Sequence, residues 1–158
     1  MRISLLFCIL IFVCSCGNDA PISKQDQTNL ICGTKWIFDW GAMQDSLISR
    51  PVSEEDIGFF NGIKVRTENA IFDFKENGIF EVQTAPNVTQ AGRWYLNSIN
   101  NTLKMEIYKA AKNNPLPILK LTKDRFELGP DPDPEVKHAM HRIFVPYKEQ
   151  PNTSTTTQ

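Results

Sequence analysis

Between Ala70 and Val145 the chain is a succession of short runs in which apolar and polar residues alternate, set apart by turn residues, and this rhythm limits the fold more than any other feature. Ile71-Phe72-Asp73-Phe74 and Ile79-Phe80-Glu81-Val82-Gln83 flank the link Lys75-Glu76-Asn77-Gly78. Asn and Gly tolerate positive φ at little cost, so the link reads as a hairpin turn that sets Phe72, Phe74, Phe80 and Val82 on one face. Pro86 and Asn87 end that pair of strands.

The same pattern continues through Gly92–Leu96, Leu103–Tyr108, Leu116–Leu121, Arg125–Leu128 and His141–Val145, with breaks at Asn97–Asn101, Asn113-Asn114-Pro115 and Lys123-Asp124. Upstream, Cys32 to Trp40 alternates as well, placing Trp36, Phe38 and Trp40 together and opposite Lys35 and Asp39. Roughly eight short strands with no long helical period predict an all-β antiparallel meander, which closes into a sandwich or, as expected here, a small up-and-down β-barrel. Closure removes the exposed strand edges that a domain of this size could not otherwise cover.

Residues 41–68 are less regular. Ser53-Glu54-Glu55-Asp56 ahead of Ile57, Phe59 and Phe60 has the residue types of a capped helix near residues 53–60, kept short by Gly58 and Gly62. Ile63 to Val65 would then open a further strand, and the Phe59-Phe60 doublet would lie across the domain as a cover.

The N-terminus carries a different signal. Arg2 precedes an apolar run from about Leu5, which closes on Val13-Cys14-Ser15-Cys16. A basic start, an apolar stretch and small residues before a cysteine make up a bacterial lipoprotein signal, with Cys16 as the lipidated residue. The run is about half of the 20 or so apolar residues a helix needs to span a bilayer. These features predict a signal peptide over residues 1–15, a lipidated cysteine and flexible tether over 16–29, one domain over 30–148 and a disordered tail over 149–158. The polar mixture around Asp19, Pro21, Lys24 and Gln25 suits a spacer.

Charge and cysteine usage narrow the function. The chain has 17 basic and 18 acidic residues, a formal charge of −1. Loss of Arg2 with the leader makes it one unit more negative, and no dense Lys/Arg run appears, so nucleic acid is not an expected partner. Of the four cysteines, Cys8 and Cys14 leave with the leader and Cys16 carries lipid, so Cys32 is expected to be unpaired and buried on a strand.

With the lipobox, Gly33 and Trp36 at the first strand, the Ile71-to-Val82 hairpin with Asn77-Gly78 and the Gly92-Arg93-Trp94 strand, the chain resembles the lipocalin-like lipoproteins of Bacteroides- and Flavobacterium-type bacteria over most of residues 30–146. The resemblance implies a lipid-anchored protein of the outer membrane that binds a small hydrophobic ligand in or at the mouth of a barrel. On that reading Trp36, Phe38, Trp40, Phe74 and Trp94 are the candidate pocket wall. Lipocalins also pack a late basic residue over the first-strand tryptophan, which by position makes Arg142 the stacking candidate on Trp36. An eight-stranded barrel either fills with side chains or holds one small ligand. The alternative is therefore a packed barrel that meets another envelope protein through its outer face or the Phe59-Phe60 segment.

Chemistry-bearing motifs are few. His138 and His141 follow Asp131, Asp133 and Glu135, but histidines three apart on a strand point to opposite faces, so no metal site is expected. No nucleophile elbow, phosphate-cradling loop or Cys/His pair stands out, and neither catalytic residues nor a cofactor is expected. Asp45-Ser46-Leu47 matches a short O-glycosylation acceptor pattern of the same bacteria, although three residues match easily by chance and a loop or capping serine is the favoured account of Ser46.

Overall fold

A computed structural model of the chain describes residues 22–49, 51–107, 114–133 and 140–149. Cys16 and the leader, His138 and nearly all of the C-terminal tail lie outside that set. Eight strands form one closed barrel in which each strand pairs with its sequence neighbours and the last returns to the first. They are β1 (Lys35–Phe38), β2 (Ile71–Phe74), β3 (Ile79–Ala85), β4 (Val88–Asn97), β5 (Thr102–Ile107), β6 (Leu116–Thr122), β7 (Arg125–Leu128) and β8 (Arg142–Pro146). The barrel closes through the antiparallel register Trp36↔Pro146, Ile37↔Val145 and Phe38↔Phe144. All pairings are antiparallel, so the predicted all-β up-and-down barrel is the observed one.

The β2–β3 hairpin forms as its sequence dictates. Gly78 has φ +80°, Lys75 N–H donates to the Ile79 carbonyl at 2.8 Å, and Phe72 and Phe74 stand opposite Val82 and Phe80. Phe72, Phe74, Phe80 and Val82 are buried and the residues between them are not, the expected consequence of a pleated ribbon with one face on a core.

Three helices join the barrel: α1 (Lys24–Cys32), α2 (Trp40–Ile48) and α3 (Glu54–Thr67). Each corrects a sequence expectation. The tether gives way to α1 at Lys24, capped by Ser23 and held by the wholly buried Ile31. The first strand stops at Phe38 because Asp39 turns its side chain onto the Ala42 N–H at 3.0 Å and caps α2, so Trp40 opens a helix instead of extending the strand. Helix α3 starts on the expected Ser53/Asp56 capping box but runs through Gly58 and Gly62 to Thr67, taking in Ile63 to Val65. Each glycine costs about 1 kcal/mol in a helix. The capping box, the burial of Phe60 and the basic Lys64 and Arg66 in the last turn all work in the opposite direction.

Two apolar clusters follow from this arrangement. One lies inside the barrel and contains Trp36, Phe74, Phe80, Trp94, Phe126 and Phe144. The other lies outside it, where Trp40, Met43, Leu47 and Phe60 cover the outward-facing Ile143 of β8. Phe60 is therefore buried at 3% exposure, while Phe59 stays 40% exposed. The doublet divides between core and surface because neighbouring positions on a helix face different ways.

Candidate functional site

The two ends of the barrel differ. The turns after β2, β4 and β6 lie at one end, together with α1. Trp36 Nε1 donates to the Ile31 carbonyl at 2.8 Å, which ties α1 to β1, and Gln27 Nε2 donates to Asn101 Oδ1 at 3.1 Å, which ties it to the β4–β5 turn. Trp94 Nε1 is engaged at the same end, on the Lys75 carbonyl at 2.9 Å. Between them the rings interlock: Trp36 meets Phe126 edge-on at 5.8 Å, and Phe74 meets Trp94 edge-on at 5.9 Å. Such pairs add about 0.5–1.5 kcal/mol each beyond the area they bury. This end is solid.

The other end holds a cavity of about 490 Å³, partly open to solvent. Its apolar wall consists of Phe38, Phe72, Phe80, Val82, Leu116 and Phe144, with Met105 beside them. Ile63, Arg66 and Thr67 of α3 form one rim, and Thr84, Gln90, Asn114, Asp131 and Arg142 supply the remaining polar groups. Among the described residues strands β5 and β6 pair at Thr102↔Pro117 and Leu103↔Leu116, towards the closed end, and Met105 and Leu116 border the cavity beyond that pairing.

Of the five residues expected on the pocket wall, Phe38 lines the cavity. Trp36, Phe74 and Trp94 point inward as alternation requires, but they lie in the packed half. Trp40 belongs to the outer cluster, 5.6 Å from Phe60, with its Nε1 buried and without a hydrogen-bond partner among the described residues. Phe72, Phe80 and Phe144 take the places assigned to the tryptophans. Alternation identifies the inward face of each strand but not the height along the barrel axis.

Arg142 does not stack on Trp36. Trp36 pairs with Pro146, four residues further along β8, so Arg142 stands at the mouth and Trp36 at the base. Its Nη1 exposes less than 1 Å² and has no hydrogen-bond partner among the described residues. Burial pulls the guanidinium pKa below its ordinary value, and the charge of Asp131 partly opposes that pull. Asp131 is itself held by others: its Oδ1 accepts from Asn114 Nδ2 at 3.0 Å and from the Asp133 N–H at 3.0 Å.

The other candidate chemistry disperses. His141 Nδ1 lies 3.2 Å from Glu127 Oε1, and Arg125 holds Oε2 of the same carboxylate at 3.0 Å. No group of three or more potential metal ligands occurs among the described residues. Ser46 sits inside α2 instead of in a loop or at a cap. No helix among the described residues is long and apolar enough to cross a membrane.

Fold and cavity together define a closed eight-stranded β-barrel, packed at one end and hollow at the other. No protein-family model matches the chain, and no curated protein matches it. Among solved structures, it is similar to a DUF4847 family protein from Bacteroides vulgatus at 13% identity and a TM-score of 0.47, a likeness that covers 76% of this chain and 96% of that one.

Proposed function

We propose that this chain is a lipid-anchored protein of the bacterial outer membrane that holds one small, largely apolar molecule in the mouth of a lipocalin-like barrel. The observation that carries the reading is the cavity of about 490 Å³ walled by Phe38, Phe72, Phe80 and Phe144. That volume falls within the roughly 300–1,000 Å³ of ordinary small-molecule sites, and an apolar wall with a few convergent polar groups is their usual composition. A packed barrel working through its outer face has less in its favour, because the exposed Phe59-Phe60 surface it would use is half buried in the α2–α3 cluster.

The anchor rests on Val13-Cys14-Ser15-Cys16. Multiple acyl chains on Cys16 would make attachment nearly permanent, since each buried methylene adds about 0.8 kcal/mol. The chain should fractionate with membranes, and Cys16→Ala should move it to the soluble fraction. Persistence of the variant in the membrane would refute the anchor.

The binding reading is tested by native mass spectrometry of residues 19–158, purified from the natural host without detergent. A stoichiometric small molecule released on unfolding is the expected result. An empty protein that also fails to take up an apolar fluorescent probe would favour the packed interaction module.

A further inference from the structure

Resting on the cavity reading above, we infer that Arg142 is a head-group site and that the molecule held in the mouth carries a single carboxylate. Phe72, Phe80 and Phe144 would receive its apolar body.

The inference starts from an unmet demand. A guanidinium carries five N–H donors in a planar fork and does not lose its charge at neutral pH. In Arg142 the Nη1 atom has no hydrogen-bond partner among the described residues and is sealed from water as well. A buried donor without a partner is costly, more so when it is charged, so folds keep such groups for a reason.

Asp131 does not meet the demand. Its charge acts on Arg142, but the two form no direct ion pair, and Asn114 and the Asp133 N–H hold the carboxylate. Among the described residues the charges lining the cavity are Arg66, Arg142 and Asp131, a surplus of one positive unit. One singly charged anion balances it, whereas a dianionic head would overcompensate. A carboxylate also matches the guanidinium fork geometrically, accepting two parallel N–H bonds. With Nη1 covered, docking requires a small turn of the side chain at the mouth, where the residue keeps partial exposure.

The test compares decanoate with 1-decanol, molecules of one chain length that differ in the head group, by isothermal titration into the purified protein and its Arg142→Met variant. Wild type should bind decanoate roughly ten- to a hundredfold more tightly than decanol, as expected for hydrogen bonds to a charged partner. Arg142→Met should bind decanol about as wild type does and lose the preference for the acid. Equal binding of acid and alcohol by wild type would overturn the head-group site and leave the apolar cavity standing, as would a preference that survives in a folded Arg142→Met. Uptake of neither molecule by wild type would overturn both readings. The wild-type comparison needs no variant, so it decides the matter even if Arg142→Met fails to fold.

Discussion

Gly92 faces Phe80 across the β3–β4 ladder so closely that a Cβ on Gly92 would stand 2.5 Å from the ring Cε1 and 2.4 Å from the Glu106 carbonyl oxygen. The second contact is backbone of the neighbouring strand and cannot swing aside. Gly92→Ala should therefore lower stability by about 1–3 kcal/mol, the usual cost of overpacking a core, read as a reduced urea midpoint. Because Phe80 also lines the cavity, the same variant should weaken binding of an apolar probe. An unchanged midpoint would mean that the ladder opens at Gly92 without strain.

Asn101 holds three elements together at the closed end. It has φ +49°, its Oδ1 accepts from Gln27 of α1, and its Nδ2 donates to the Ile118 carbonyl of β6 at 2.7 Å. Asn101→Ala should lose about 1 kcal/mol for each hydrogen bond and a further 1–2 kcal/mol or so for placing alanine in the left-handed region. Asn101→Gly loses the bonds without the strain and should fall between the two. Thermal denaturation of the three proteins gives the ranking, and a glycine variant less stable than the alanine one would contradict it.

Glu127 ties stability to pH. Burial pushes its carboxyl up, but bonds from His141 and Arg125 outweigh burial and leave it below its ordinary value. A carboxyl depressed in the folded state stabilises above its unfolded value, about 4.3 for Glu, and that contribution fades as pH falls through the lower folded value. The stability gap between wild type and Glu127→Gln should thus be widest near neutrality and shrink in acid. A gap of constant size from pH 7 to about pH 3, well below the unperturbed carboxyl, would remove Glu127 from the acid response.

Cys32 should be a poor nucleophile. Burial first, then the charges of Glu76 and Asp73, pushes its thiol up to about 11. The thiolate is the reactive form, so alkylation by iodoacetamide at mildly basic pH should run roughly a hundredfold slower than for an ordinary cysteine of pKa about 8.5. Mass mapping of the labelled peptide isolates this site. Rapid labelling in the folded protein would show that the thiol is not suppressed.

The barrel was legible because its signals are local. Asn77-Gly78 specifies a turn, and the alternation on either side specifies faces, so neighbour-to-neighbour pairing follows without knowledge of the rest. Helix α2 was hidden in a strand pattern: Trp36, Phe38 and Trp40 alternate perfectly, and only the capping capacity of Asp39 marks the stop. Helix α3 was cut short on paper because Gly58 and Gly62 are intrinsic breakers, yet both sit where a Cβ would meet nothing, away from the buried Phe60. Arg142 was matched to Trp36 by its late position in the chain, but its height along the barrel was a matter of β1–β8 register. That register depends on closure of the whole barrel and cannot be read from either strand alone.

The bond from Trp36 to Ile31 fixes α1 to the solid base of the barrel, so the described chain begins at the end opposite the mouth. If Cys16 carries lipid as proposed, that polarity would separate two errands. The base would lie towards the lipid and the hollow end would look out into water. A cargo would then be exchanged with the aqueous compartment, or with a partner that approaches from it, and would not be drawn sideways out of the membrane beneath.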